Sequence, residues 1–387
     1  MNTFTFNYPT KVYFGEKAAK RNLAVELQKH GKTVLLAYGG GSIRKNGVYD
    51  ELTAILKAAG KETVEFSGIM SNPTYEKVQE GARMARERGV DFILAVGGGS
   101  VIDCCKIVSA QAKLDADIWD YEYGEHKTPA AFIPMGAVVT AFGTGAEMNN
   151  GAVITHTEKK LKSALWGASY DFAVLNPDYT MTMPMKQVVS GAFDTLSHCM
   201  ETYMGQPFAD NLSDEINEAV MRSVIKNLRA QIADPEDKNV RGELIWAAAM
   251  GENGILKIGK QTDFQCHMME HQLGAYTDCN HGMGLSAMHV QYYRYIVNEG
   301  KEKLAKLAER VWGIDPTGES ERELAAAGLD ALAAFIREIG MPSNFHELGV
   351  PDDLPWREIA NSVIITPGGC GKLSHADILK IFEDCSG

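Results

Sequence analysis

Apolar and polar positions in the first half of the chain alternate between two rhythms. Short apolar runs, TVLLAY (33–38), ETVEF (62–66) and DFILAV (91–96), are bounded by glycine or polar turns and have the length of strands. Between them lie amphipathic stretches, 48–59 and 75–88, whose apolar spacing predicts helices. Strand, turn and helix in that order predict a parallel sheet covered by helices, a Rossmann-like α/β domain. From about Pro184 the rhythm becomes purely helical, over 213–229, 241–255, 301–312 and 319–339, the last closed by Gly340 and Pro342. The expected organisation is an α/β nucleotide-binding domain over 1–182 followed by an all-helical domain over 183–387. The N-terminal FTFNYPTKVYFG alternates like a pair of edge strands, which suggests a place for a second copy to dock.

Length and charge narrow the choice of partner. A chain of 387 residues exceeds one ordinary core, which agrees with two domains. Its net charge of -12 argues against nucleic acid and against an anionic membrane surface, since both require clustered cations. The passage AAFIPMGAVVTAFGTG is broken by Pro134 and Gly136 and is too short to span a bilayer. The first residues lack the basic start and apolar core of an export signal, and seven scattered cysteines without a CxxC offer no disulfide framework; both features predict a reducing cytoplasm.

Two of the strands run into the same turn, GGGS. Gly97, Gly98, Gly99 and Ser100 stand between a buried strand and a helix N-terminus, where unpaired N–H groups and the helix dipole welcome a pyrophosphate. The full GxGxxG pattern is missing, so this is a variant cradle, and a plain tight turn is the alternative. The other turn, Gly39, Gly40, Gly41 and Ser42, carries no carboxylate to bind the ribose hydroxyls of NAD, whereas Ser42, Arg44 and Lys45 offer partners for a 2′-phosphate. A third glycine-rich turn, TAFGTGAEMNNGAVI, adds Thr140, Thr144 and Asn149 as hydrogen-bonding candidates.

The helical half contributes the other chemistry. Asp194 and His198 are four apart, as are His267 and His271, and His281 follows soon after; on a helix that spacing stacks two side chains on one face. Imidazole and carboxylate donors suit one divalent cation such as iron(II) or zinc. The alternative is a local ion pair on a polar helix face, and the helical wheel leaves open whether that face meets water or a cleft. Cys199, Cys266 and Cys279 lie near these residues and read as small buried side chains.

The ordered set GGGS, GGGSVID, TxxGTGAE, DTLSH and HMMEHQLGAYTDCNHG resembles the iron-containing, or group III, alcohol dehydrogenase family over essentially the whole chain, in particular its butanol dehydrogenase and broad aldehyde reductase branch. The resemblance implies a dehydroquinate synthase-like architecture with Asp194, His198, His267 and His281 as metal ligands between the two domains. It places His271, not itself a ligand, near the nicotinamide and the reacting carbonyl, so that His267 and His271 form the catalytic pair. It assigns Gly97, Gly98, Gly99, Ser100, Asp103, Thr140, Thr144, Lys162 and Tyr179 to the cofactor. Ala146 departs from the family, in which a serine often precedes the residue equivalent to Glu147. The absence of an Asp from the first turn makes NADP(H) the expected carrier over NAD(H). The activity implied is hydride exchange with a small aliphatic alcohol or aldehyde such as butanol or butanal, by a homodimer. A lyase or cyclase of the dehydroquinate synthase type, and a nucleotide-binding regulator with a structural metal, are the rival readings.

Overall fold

The structure, a computed structural model, describes residues 2–208 and 210–387. Its strands are β1 (Lys11–Phe14), β2 (Thr33–Tyr38), β3 (Glu62–Phe66), β4 (Phe92–Gly97), β5 (Met135–Val139), β6 (Gly151–His156), β7 (Leu161–Trp166) and β8 (Phe172–Leu175). Six of them form one parallel sheet in the order β1-β8-β5-β4-β2-β3, and β6 and β7 form an antiparallel hairpin. The central strands β4, β5 and β8 are buried at every position, as strands covered on both faces must be, while edge strand β3 alternates. One face of the sheet contributes Val34, Leu36, Phe92, Leu94, Val138, Phe172 and Val174 to a continuous core.

The helices of this half are α1 (Ala18–Leu27), α2 (Ser42–Lys45), α3 (Val48–Ala58), α4 (Tyr75–Glu87), α5 (Gly99–Gln111) and α6 (Pro177–Thr180). Then follow α7 (Met185–Tyr203), α8 (Leu212–Ala233), α9 (Lys238–Glu252), α10 (Gln265–Thr277), α11 (His281–Tyr295), α12 (Val297–Arg310) and α13 (Glu321–Glu338), with three shorter helices to the C-terminus. Local signals fix several of the ends. Thr74 accepts the Lys77 N–H at the start of α4, and Ser320 and Glu323 form a reciprocal capping box on α13.

The chain divides into two compact units. One takes in Asn7–Pro184 together with Glu236–Ala249, so most of α9 belongs to the unit that holds the sheet; the other comprises the residues up to Phe6, Met185–Pro235 and Met250–Gly387. The expected pair of N-terminal edge strands is a single one. Only Lys11–Phe14 pairs, in parallel with β8, because Pro9 has no N–H for a ladder and the residues before it run outside the sheet. The hairpin β6–β7 has no clear alternating apolar pattern in the sequence, and strand β5 lies inside the apolar passage AAFIPMGAVVTAFGTG.

Candidate metal centre and dinucleotide turn

Helix α7 is buried from Val188 to Tyr203 except at Gly191, so the polar stripe that carries Asp194 and His198 faces the interior of its unit. Asp194 Oδ1 is the point of convergence. It lies 3.5 Å from His198 Nδ1, 3.6 Å from His267 Nε2 and 3.5 Å from His281 Nε2. Those separations are too long for hydrogen bonds. They match the spacing of donors around a cation, since ligand atoms about 2.1 Å from a tetrahedral centre stand about 3.4 Å apart. His198 Nδ1 and His267 Nε2 are buried without a hydrogen-bond partner, a costly state unless a cation takes their lone pairs. Asp194, His267 and His281 place their donor atoms within 4.8 Å of one another. By geometry and by the chemistry of the donors, the residues fit a divalent cation.

Local structure brings the donors together. Phe264 sits in a left-handed conformation (φ 52°) at the N-cap of α10 and packs on His198 and His267, with ring centroids 5.6 and 5.0 Å apart. At α11 the Asn280 side chain caps the Met283 N–H and accepts from Ser190 Oγ at 2.5 Å, which ties the helix that begins with His281 to α7. Gly282 is required there: a methyl group at this position would collide with the carbonyl oxygen of Ser190.

Behind two of the imidazoles stand carboxylates outside the ligand set that the sequence pattern suggests. Glu201 Oε1 pairs with His267 Nδ1, and Glu270 Oε2 pairs with His281 Nδ1; both acids have fully buried side chains. Each fixes the tautomer that leaves Nε2 free to bind a metal. The second oxygen of Glu201 accepts the N–H groups of Cys266 (2.8 Å) and His267 (3.3 Å), so Glu201 also caps α10 from α7. The signal was present in the spacing, because Glu201 lies three residues beyond His198 and Glu270 three beyond His267, on the same stripes.

The charges answer one another. Burial works against the charge on Asp194, yet His198, His281 and His267 together hold its carboxyl well below the usual range. Burial also lowers the His267 imidazole, but Glu201 and Asp194 outweigh it and push the ring up to about 10. His289, buried beside Ser197 with 2.6 Å between Nε2 and Oγ, is pushed down to about 4 by burial and stays neutral. His271 is buried one turn beyond His267, its ring 6.3 Å from that of His267 and 5.7 Å from that of His281.

In the other unit, the glycine turns open at the C-terminal edge of the sheet. Neighbours β2 and β4 part company here, since β3 follows β2 to one side while β5 follows β4 to the other; such a switch point is where open α/β sheets bind ligands. Gly40 and Gly41 have open space where a side chain would be, which leaves their backbone accessible. At Gly98 a Cβ would stand 2.9 Å from Ala141 Cβ, and at Gly99 3.1 Å from Thr144 Oγ1, so the second turn needs glycine to close against the Thr140–Thr144 segment. The same segment is held by the Thr140 N–H to Gly97 O bond at 2.9 Å. The exposed glycine backbone and the N-terminus of α5 fit a diphosphate.

Other expected cofactor residues have structural duties. Asp103 accepts the Val153 N–H at 2.9 Å, and buried Lys106 reaches Asn149 Oδ1 (2.9 Å) and the Gly151 carbonyl (2.6 Å); this lashes α5 to the hairpin. Tyr179 donates to Glu51 at 2.6 Å, and Lys162 is buried on β7. Arg44 is engaged by Glu65, 2.6 Å away, and Lys45 is exposed beside it.

The model of the iron-containing alcohol dehydrogenases matches residues 9–177, and that of the family's C-terminal region matches residues 188–386. The chain is 35% identical over 392 residues to NADH-dependent butanol dehydrogenase A of Clostridium acetobutylicum, covering 99% of each protein. It is 35% identical over 354 residues to the NADPH-dependent aldehyde reductase YqhD of Escherichia coli, covering 90% of each. The crystal structure of NADH-dependent butanol dehydrogenase A from Thermotoga maritima superposes with a TM-score of 0.94 at 32% identity, over 100% of this chain and 99% of that one. The chain belongs to the iron-containing alcohol dehydrogenase family and is an NAD(P)-dependent alcohol dehydrogenase. Among the described residues, no helix is long and apolar enough to cross a membrane.

Proposed function

We propose that this enzyme interconverts small aliphatic aldehydes and primary alcohols of the butanal and butanol class, using NADP(H) with NAD(H) as the alternative carrier. In this reading Asp194, His198, His267 and His281 hold iron(II) or zinc. The observation that carries it is the convergence of three imidazole nitrogens on one buried Asp194 oxygen at 3.5–3.6 Å. The substrate class rests on the butanol dehydrogenases and the aldehyde reductase among the relatives. A homodimer and a cytoplasmic location belong to the same proposal, the dimer supported by the exposed Phe4 and Phe6, two residues apart.

Bound at these residues, a divalent cation would supply Lewis acidity toward a carbonyl oxygen, and a nicotinamide would supply the hydride. A cation would take the place of the proton that His267 otherwise holds, and Asp194 would then be the one charged donor beside three neutral imidazoles. Glu201 and Glu270 keep the rings of His267 and His281 turned with Nε2 toward Asp194. His271 delivers the proton that completes the alcohol, directly or through a water that it orients.

The test is metal quantification on purified protein coupled to butanal reduction with NADPH and NADH in parallel. One metal per chain and one NADPH oxidised per butanal consumed are expected. A lyase or cyclase would return the nicotinamide unchanged, and a regulator would turn over neither.

A further inference from the structure

The first glycine turn opens a βαβ unit, from β2 through α2 and α3 to β3. Glu65 is the next-to-last residue of β3, 24 residues beyond Gly41 (65 − 41), and pairs in register with Leu36 of β2. In open α/β sheets that bind dinucleotides, a carboxylate downstream of a glycine turn recognises the ribose 2′-hydroxyl at the ligand-binding edge, and Glu65 stands at that edge beside the first turn. The turn itself, Gly39 to Ser42, holds no carboxylate, so the acid has to come from the strand that follows.

We propose that Glu65 is that carboxylate and that, with Arg44, it forms the pair that sets the balance between NADPH and NADH. This rests on the nicotinamide reading above. The Arg44 guanidinium lies over the Tyr49 ring, 3.7 Å from its centroid, and its Nη2 is 2.6 Å from Glu65 Oε2 and 2.7 Å from Tyr38 OH. The Tyr38 hydroxyl donates to Glu65 Oε2 at 2.7 Å and the Tyr49 hydroxyl donates to Oε1. Two phenols and a stacked guanidinium thus aim one carboxylate, although the Glu65 and Arg44 side chains are each almost half exposed. An ordinary surface ion pair at that exposure contributes little to stability. Four side chains converging at the ligand-binding edge of the sheet, on the β2 side of the switch point, form instead a polar site open to a ligand.

The two charges have opposite effects on the cofactors. A 2′-hydroxyl is a donor that Glu65 accepts. A 2′-phosphate brings about two negative charges, which Arg44 attracts and Glu65 repels. Arg44 shared with Glu65 is therefore a weaker phosphate ligand than Arg44 released from it.

Dissociation constants of NADPH and NADH, measured by fluorescence on the full-length wild type and on Glu65→Gln, Arg44→Gln and Arg44→Lys, test this directly. Glu65→Gln should shift the ratio toward NADPH by about tenfold, the weight of one charge-assisted contact, and Arg44→Gln should shift it about as far toward NADH. Arg44→Lys should restore part of the NADPH affinity. A ratio that stays within twofold of wild type in both glutamine variants, with both cofactors still bound, would overturn the assignment of Glu65 and leave the nicotinamide reading standing. A wild type that binds neither cofactor would overturn both.

Discussion

Glu201 illustrates how much of the proposed metal centre lies in residues outside the set of donors. Its carboxylate, fully buried, caps the start of α10 through two backbone N–H groups and orients His267 through Nδ1. A glutamine at this position keeps the shape but loses the charge that favours the Nδ1–H tautomer. Glu201→Gln is expected to lower metal affinity by about 10- to 100-fold, read by competition with a chelator, while nicotinamide binding stays at the wild-type level. His271 is the contrasting case. His271→Ala should leave the metal content at one per chain and slow turnover by about 100-fold, the usual weight of a positioned general acid. Wild-type turnover in that variant would remove His271 from the proton path. The histidines and Asp194 were legible in the sequence because i, i+4 pairs of ligand residues are conspicuous. Glu201 and Glu270 were not, since a glutamate on a helix ordinarily reads as a solvated charge, and only burial distinguishes these two.

At the scale of elements, strong periodic patterns were readable and irregular ones were not. The strands over 33–38, 62–66 and 91–96 and the helices between them stand within a residue or two of where their apolar spacing puts them, because sheet and helix faces demand a fixed period. The hairpin β6–β7 escaped notice because its buried members include Thr155, His156, Lys162 and Ser163, polar side chains whose burial no hydropathy pattern announces. That hairpin supplies a pH prediction. Glu122 accepts the Trp166 N–H at 2.5 Å, and burial pushes its carboxyl up to about 7, against 4.5 for an ordinary glutamate. Between those values the folded chain holds a proton that the unfolded chain has released, so stability falls as pH rises through this window. Glu122→Gln should flatten the change in unfolding free energy between pH 5 and pH 8 by on the order of 2 kcal/mol, allowing for solvent screening. The contact of α11 with α7 is as sensitive to a single atom. In Gly282→Ala the added methyl meets Ser190, the N-terminus of α11 must withdraw, and His281 leaves the other donors; metal content should fall although no ligand has been changed.

For the whole molecule, the division of labour follows the two units. Every proposed metal donor, and both carboxylates behind them, lie in Met185–Pro235 and Met250–Gly387, whereas the glycine turns lie in Asn7–Pro184. Each site is built from side chains and backbone of its own unit, so loss of one ligand should leave the other's binding intact. A strong chelator is therefore expected to abolish aldehyde reduction while the dissociation constant for NADPH stays within about threefold of its starting value and the far-ultraviolet dichroism is preserved. Gly98→Ala supplies the converse case. Its methyl presses on Ala141 and disturbs the second turn, so cofactor binding should weaken by about tenfold, the effect of mild overpacking, with one metal per chain retained. A structural metal would give a different pattern, because a closed site holds the fold together and its removal unfolds the chain. If the chelated protein lost its helical dichroism and its NADPH binding together, the cation would belong to the architecture of the helical unit, and the catalytic role assigned to Asp194 and its three histidines would have to be given up.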